Sequence, residues 1–168
     1  MIKRAAVLGS PVSHSLSPLI HNHAYSLLGF SGSYQAIEVK SGQLASYLEQ
    51  ELLREDLLGF SLTMPLKEEL TAISNPALLV DSRSKEINSA NTIYRDGDIW
   101  RTTSTDVDGF EFLTKDLSFS SVAILGAGGT ARAAIAALAP SGIEIEVYRR
   151  SSDRDLSLIN SALGFNIE

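Results

Sequence analysis

Short apolar runs and amphipathic stretches follow one another along this chain, and their spacing predicts strands and helices in alternation. Lys3 to Leu8 reads as a short buried strand that stops at Gly9-Ser10-Pro11. Ser17 before Pro18 predicts a helix capped by Ser17, running from Pro18 to Leu28 and ending at Gly29. Tyr34, Ala36 and Glu38 alternate with Gln35, Ile37 and Val39, predicting a strand over Ser33 to Val39. Leu44, Tyr47, Leu48 and Leu52 recur at helical spacing, so a surface helix is expected over Gln43 to Arg54. Leu57 to Leu62 is a second apolar strand, followed by helical stretches over Glu68 to Ile73 and Pro76 to about Lys85. Asn91 to Tyr94 and Ile99 to Thr103 flank Asp96-Gly97-Asp98, a hairpin signal, and a helix is expected over Val107 to Lys115.

The stretch Ser121 to Arg150 carries the sharpest pattern. Val122 to Leu125 is an apolar strand ending in Gly126-Ala127-Gly128-Gly129-Thr130-Ala131, which fits G-x-G-x-x-G/A through Gly126, Gly128 and Ala131. An alanine-rich helix to Ala139, the breaker Pro140-Ser141-Gly142 and a strand over Ile143 to Tyr148 complete a dinucleotide-binding unit. Gly126 permits the tight turn, Gly128 lets backbone N–H groups approach a pyrophosphate, and Ala131 keeps helix and sheet close. The phosphates then meet the positive end of a helix. Where NAD-binding units carry an acidic residue after the second strand, this chain has Tyr148-Arg149-Arg150-Ser151. Two guanidiniums suit a ribose 2′-phosphate, so NADP (NADPH) is preferred over NAD. A helix over Asp153 to Leu163, stopped by Gly164, and a third strand beginning at Phe165 to Ile167 are expected to follow.

These elements predict an α/β protein: an N-terminal domain over residues 1–104 with a mostly parallel sheet, then residues 105–168 as the first half of a Rossmann domain. Because that fold normally has two such halves, the chain is expected to be a fragment. Composition changes the picture mainly by exclusion. The 168 residues are 44% hydrophobic with a net charge of −6, which argues against a nucleic-acid partner. There is no cysteine, and three histidines without metal-ligand spacing point away from a metal site. No apolar run reaches membrane-spanning length, and the N-terminus has no signal-peptide pattern, so a cytoplasmic protein is expected.

Four loops at strand or helix ends are rich in small polar groups: Ser15 and Ser17, Thr63 and Lys67, Asn91 and Thr92, Thr105 and Asp106. Ligands bind at such ends in α/β sheets, and these groups suit a small polyhydroxylated acid. Each also has a plain structural reading, Asp106 as a helix cap and Lys67 as a surface charge among them. In order, Gly9 to Pro18 (GSPVSHSLSP), Ser61 to Lys67 (SLTMPLK), Asn88 to Ile93 (NSANTI), Thr105 to Gly109 (TDVDG) and Gly126 to Arg132 (GAGGTAR) resemble the motifs of the shikimate dehydrogenase family.

That resemblance implies reversible reduction of 3-dehydroshikimate to shikimate with NADPH, in aromatic amino-acid biosynthesis, by a monomer or homodimer. It implies that Ser15 and Ser17 hold the substrate carboxylate, that Thr63, Asn91 and Asp106 bond the ring hydroxyls, and that Lys67 and Asp106 form the catalytic pair. Gly126 to Ala131, with Arg149 and Arg150, would bind the cofactor. Two chemistries stay open for Lys67: moving the hydroxyl proton itself, or polarising the carbonyl while water carries the proton. A relative using quinate or NAD, and a shikimate-binding fragment without turnover, are the alternative readings. Asn88 and Thr102 stand where the family usually has Gly, Ser104 where it has Asn, and Tyr148-Arg149-Arg150 where it has N-R-T.

Overall fold

The computed structural model describes residues 1–150. The expected helix over Asp153 to Leu163 and the strand from Phe165 lie outside these residues. Strands β1 (Lys3–Gly9), β2 (Gly32–Glu38), β3 (Leu57–Leu62), β4 (Leu78–Val80), β5 (Thr92–Asp96) and β6 (Ile99–Thr103) form one sheet in the order β2-β1-β3-β5-β6-β4. Strands β7 (Ser121–Leu125) and β8 (Glu144–Tyr148) form a second, parallel pair. The helices are α1 (Ser17–Leu27), α2 (Leu44–Glu51), α3 (Leu66–Ala72), α4 (Ser82–Glu86), α5 (Thr105–Thr114) and α6 (Gly129–Leu138).

The larger sheet is mixed. β1 pairs in parallel with β2 and β3, and β4 with β6, whereas β5 runs antiparallel to both β3 and β6. The β5–β6 hairpin closes between Asp96 and Ile99 around Gly97, whose φ is +62°. Leu8, Leu44, Leu48, Phe60, Leu62, Leu66, Leu70 and Ile93 bury completely or nearly so in the main core. Trp100 joins them, its indole N–H donating to Leu52 O at 3.0 Å, so the ring is buried without stranding its donor.

Local expectations hold in most places and fail in two. The helix expected over Pro76 to Lys85 is instead the strand β4 followed by the short α4. Leu78-Leu79-Val80 finds a parallel partner in Trp100–Thr102, and Asp81 then starts α4 by accepting the Ser84 N–H at 2.7 Å. Burial pushes the Asp81 carboxyl up, but hydrogen bonds from Thr103 and Ser84 outweigh it and hold the group below its ordinary value. Ser17 is not the cap of α1 either. Leu16 occupies that position without a side-chain bond, and Ser15 Oγ accepts the Ser17 N–H at 3.3 Å from before the helix.

Asn88 explains one departure from the family pattern. Its φ is +47°, the conformation in which glycine is the ordinary occupant, and its side-chain oxygen accepts from Thr71 Oγ1 at 2.5 Å. Asn88→Gly is therefore expected to stay within about 1 kcal/mol of the parent, relief of strain offsetting the lost bond. Asn88→Val should cost about 2 kcal/mol or more, since a β-branched residue is strained there. Urea-unfolding midpoints of the two variants check both values.

Candidate functional site

Topology brings the polar loops to one edge. β1 and β3 are parallel, so the loops after them emerge together, tied by Thr63 N–H to Leu8 O at 2.9 Å and Ser10 N–H to Met64 O at 3.0 Å. The fit is close: a side chain at Gly9 would come within 2.4 Å of Thr63 Cγ2. Because β5 runs against β3, its first residues lie beside the end of β3, and Leu62 N–H donates to Asn91 O at 2.7 Å. β6 returns to the same edge and feeds α5, which carries Thr105 and Asp106 in its first turn.

At this edge Lys67 Nζ lies 2.5 Å from Asp106 Oδ2, and Asn91 Nδ2 donates to Asp106 Oδ1 at 2.7 Å. Both carboxylate oxygens are thus engaged by charge-assisted bonds, which fix the carboxylate plane. The ion pair is largely shielded, with 15% of the Lys67 and 23% of the Asp106 side chain exposed. Asp106 does not serve α5 as its cap; Ser104 holds that position. Asn91 is itself held: its oxygen accepts the Thr105 N–H at 2.8 Å and the Thr92 hydroxyl at 3.1 Å. One amide N–H of Asn91 remains for a ligand.

Thr63 and Lys67 face the glycine turn across a cavity of about 590 Å³, whose other wall includes Gly126, Gly128, Gly129 and Thr130. Ser15 and Ser17 sit at the mouth of the β1 loop, both partly exposed, and bond to each other rather than to the Lys67 cluster. Arg149 and Arg150 follow β8 and are exposed.

The turn after β7 is held over Lys67 by a small apolar contact. Ile87, Val107, Ala133 and Ala136 bury together, and Arg132 of α6 donates to Ile87 O at 3.2 Å. The alanines allow α6 to approach α5 closely. Gly126 has a φ of +124°, as the tight turn requires. A Cβ on Gly128 would meet no atom within 4 Å, which leaves open space beside the first turn of α6. Gly129 is different: there a Cβ would lie 2.7 Å from Ser89 Oγ and 3.0 Å from Lys67 Cβ. Sequence reasoning missed Ser89; its only signal is its place two residues before Asn91 in the Asn88 to Ile93 stretch. Among the described residues no cluster of His, Asp or Glu could hold a metal ion, and no helix is long and apolar enough to cross a membrane.

Known proteins resemble this chain in sequence and in fold. Residues 7–93 match the model of the shikimate dehydrogenase substrate binding domain. The NADP(+) shikimate dehydrogenase of Rhodopseudomonas palustris strain HaA2 is 36% identical over 161 residues, covering 92% of this chain and 55% of the relative. That of Methanothrix thermoacetophila is 36% identical over 164 residues, covering 94% and 58%. The crystal structure of shikimate 5-dehydrogenase from Thermus thermophilus, in complex with NADP(H) and shikimate, superposes with a TM-score of 0.82. The two share 34% identity, and the match covers 99% of this chain and 62% of that one. The chain spans about half the length of the curated relatives it matches. With its substrate-domain segment, its identity to these relatives and its fold in agreement, the chain belongs to the shikimate dehydrogenase family.

Proposed function

We propose that this chain carries the substrate site and the opening of the cofactor site of an NADP-dependent shikimate dehydrogenase, which interconverts 3-dehydroshikimate and shikimate. The observation that carries the reading is the Lys67–Asp106–Asn91 cluster, whose Lys67 lines one cavity with the glycine turn. Residues 1–104 form the substrate domain and residues 105–168 begin the cofactor domain.

The two hydroxyls of the β1 loop suit a carboxylate: Ser15 Oγ accepts from Ser17 N–H and keeps its own proton to donate. Thr63 and the free N–H of Asn91 address ring hydroxyls. Moving hydride at a carbinol carbon requires its hydroxyl proton to leave or arrive. Lys67 Nζ handles that proton or polarises the oxygen, and Asp106 holds the ammonium on target. Nicotinamide, when bound, supplies or accepts the hydride. The open space at Gly128 and the N–H groups of the first turn of α6 fit its pyrophosphate.

Arg149 and Arg150, exposed after β8, are the groups suited to a 2′-phosphate. Replacing both with alanine is expected to weaken NADPH binding by about 1–3 kcal/mol and to leave NADH nearly unchanged. Fluorescence titration with both cofactors checks this, and equal losses would remove the 2′-phosphate assignment. For the function as a whole, shikimate should raise the melting temperature of the chain. The chain extended with a relative's remaining sequence should reduce NADP in the presence of shikimate. Stabilisation by shikimate without turnover in the extended protein would favour a binding module instead, and the absence of both effects would overturn the proposal.

A further inference from the structure

The Lys67 ammonium has a second acceptor that the substrate loops do not provide. Nζ donates to Thr130 Oγ1 at 3.1 Å, reaching from α3 to the first turn of α6. Gly129, one residue earlier, lies against the lysine stem, where an added Cβ would stand 3.0 Å from Lys67 Cβ and 3.1 Å from Cδ. Ser89 Oγ ties the same residue down by donating to Gly129 O at 3.2 Å. The glycine turn therefore touches the stem and the head of one lysine at once.

A lysine side chain has four carbons of freedom, and a single carboxylate fixes the distance of its ammonium better than its direction. A second anchor on another element fixes the direction. Of three ammonium N–H donors, Asp106 and Thr130 take two, leaving one for a ligand. A hydroxyl that accepts from lysine still has its own proton to donate. Thr130 is exposed at the end of a helix whose N–H groups attract anions, so that proton is available to a cofactor phosphate.

We propose that Thr130 is a positioning residue that shares the Lys67 ammonium with Asp106, so that the seating of the glycine turn on its cofactor sets the aim of Lys67 at the substrate. This rests on the dehydrogenase reading above but is testable apart from it.

The test compares Thr130→Val with Thr130→Ser, which restores the hydroxyl. Acylation of Lys67 by an N-hydroxysuccinimide ester, followed by peptide mass spectrometry, needs no turnover. Thr130→Val is expected to acylate Lys67 about three- to tenfold faster, the net scale of one ordinary hydrogen bond lost, with Thr130→Ser near the parent. Added NADP should slow acylation of the parent and the serine variant but leave the valine variant unaffected. In the extended protein, kcat of Thr130→Val should fall about tenfold with shikimate KM little changed, and serine should restore it. Parent-like acylation and parent-like kcat in Thr130→Val would overturn the proposal. Because residue 130 is exposed, the valine variant should fold as the parent does, and Thr130→Ala gives a second hydroxyl-free variant. Changed acylation in a protein that never oxidises shikimate would remove the dehydrogenase reading and leave the Thr130–Lys67 link standing.

Discussion

In the extended protein, if it is the proposed dehydrogenase, Lys67→Met is expected to cut shikimate-dependent NADP reduction by about 10²- to 10⁴-fold, the usual contribution of a positioned proton-transfer group. Methionine keeps a stem of similar length, so the contact that Gly129 makes with the Lys67 side chain survives while the charge and its donors go. Asn91 still holds Asp106 through Oδ1 at 2.7 Å, and Ser15, Ser17 and Thr63, the groups proposed to bind substrate, are untouched. Shikimate affinity, read by calorimetry, should therefore change little, because a group acting only in the transition state lowers kcat without raising KM. Collapsed affinity with normal turnover would move Lys67 from catalysis to binding.

Gly59→Ala should destabilise the chain by about 3 kcal/mol or more, beyond the usual cost of overpacking because the obstacle is backbone. A Cβ at this position would fall 2.1 Å from the carbonyl oxygen of Ile93. β3 lies between β1 and β5 and pairs Gly59 with Tyr94, so neither strand can yield without breaking the ladder. The damage reaches the site, since Asn91 stands just before β5 and bonds to Leu62 of β3. Urea unfolding measures the loss. An unchanged midpoint would mean that β5 is not held where the structure has it. Gly109, whose added Cβ would meet nothing within 4 Å and whose φ is not positive, provides a control position away from this ladder.

Much of the local architecture was legible because apolar spacing and breakers agree. β3 spans Leu57–Leu62 as its apolar run predicts, and Gly29, at φ +62°, ends the first helix as expected. The glycine turn was legible because G-x-G-x-x-A sits between an apolar strand and an alanine-rich helix. The errors came where tertiary partners decide. Three residues, Leu78-Leu79-Val80, have no preference strong enough to declare a strand until β6 supplies one. The cap of α1 shifted because Ser15, rather than Ser17, offers its hydroxyl to the helix N-terminus.

The sequence by itself determined the α/β class and the residue types available for chemistry, because periodicity and turn composition are properties of neighbours in the chain, and its ordered motifs carried the family resemblance. Only the tertiary structure decided that Lys67 and Asp106, 39 positions apart, meet at 2.5 Å, or that Thr130 reaches the same ammonium. Those contacts depend on β5 reversing direction beside β3 and on α6 settling against α5 through buried alanines. Long-range pairings of that kind are set by which apolar faces bury together, and spacing along the chain does not encode them.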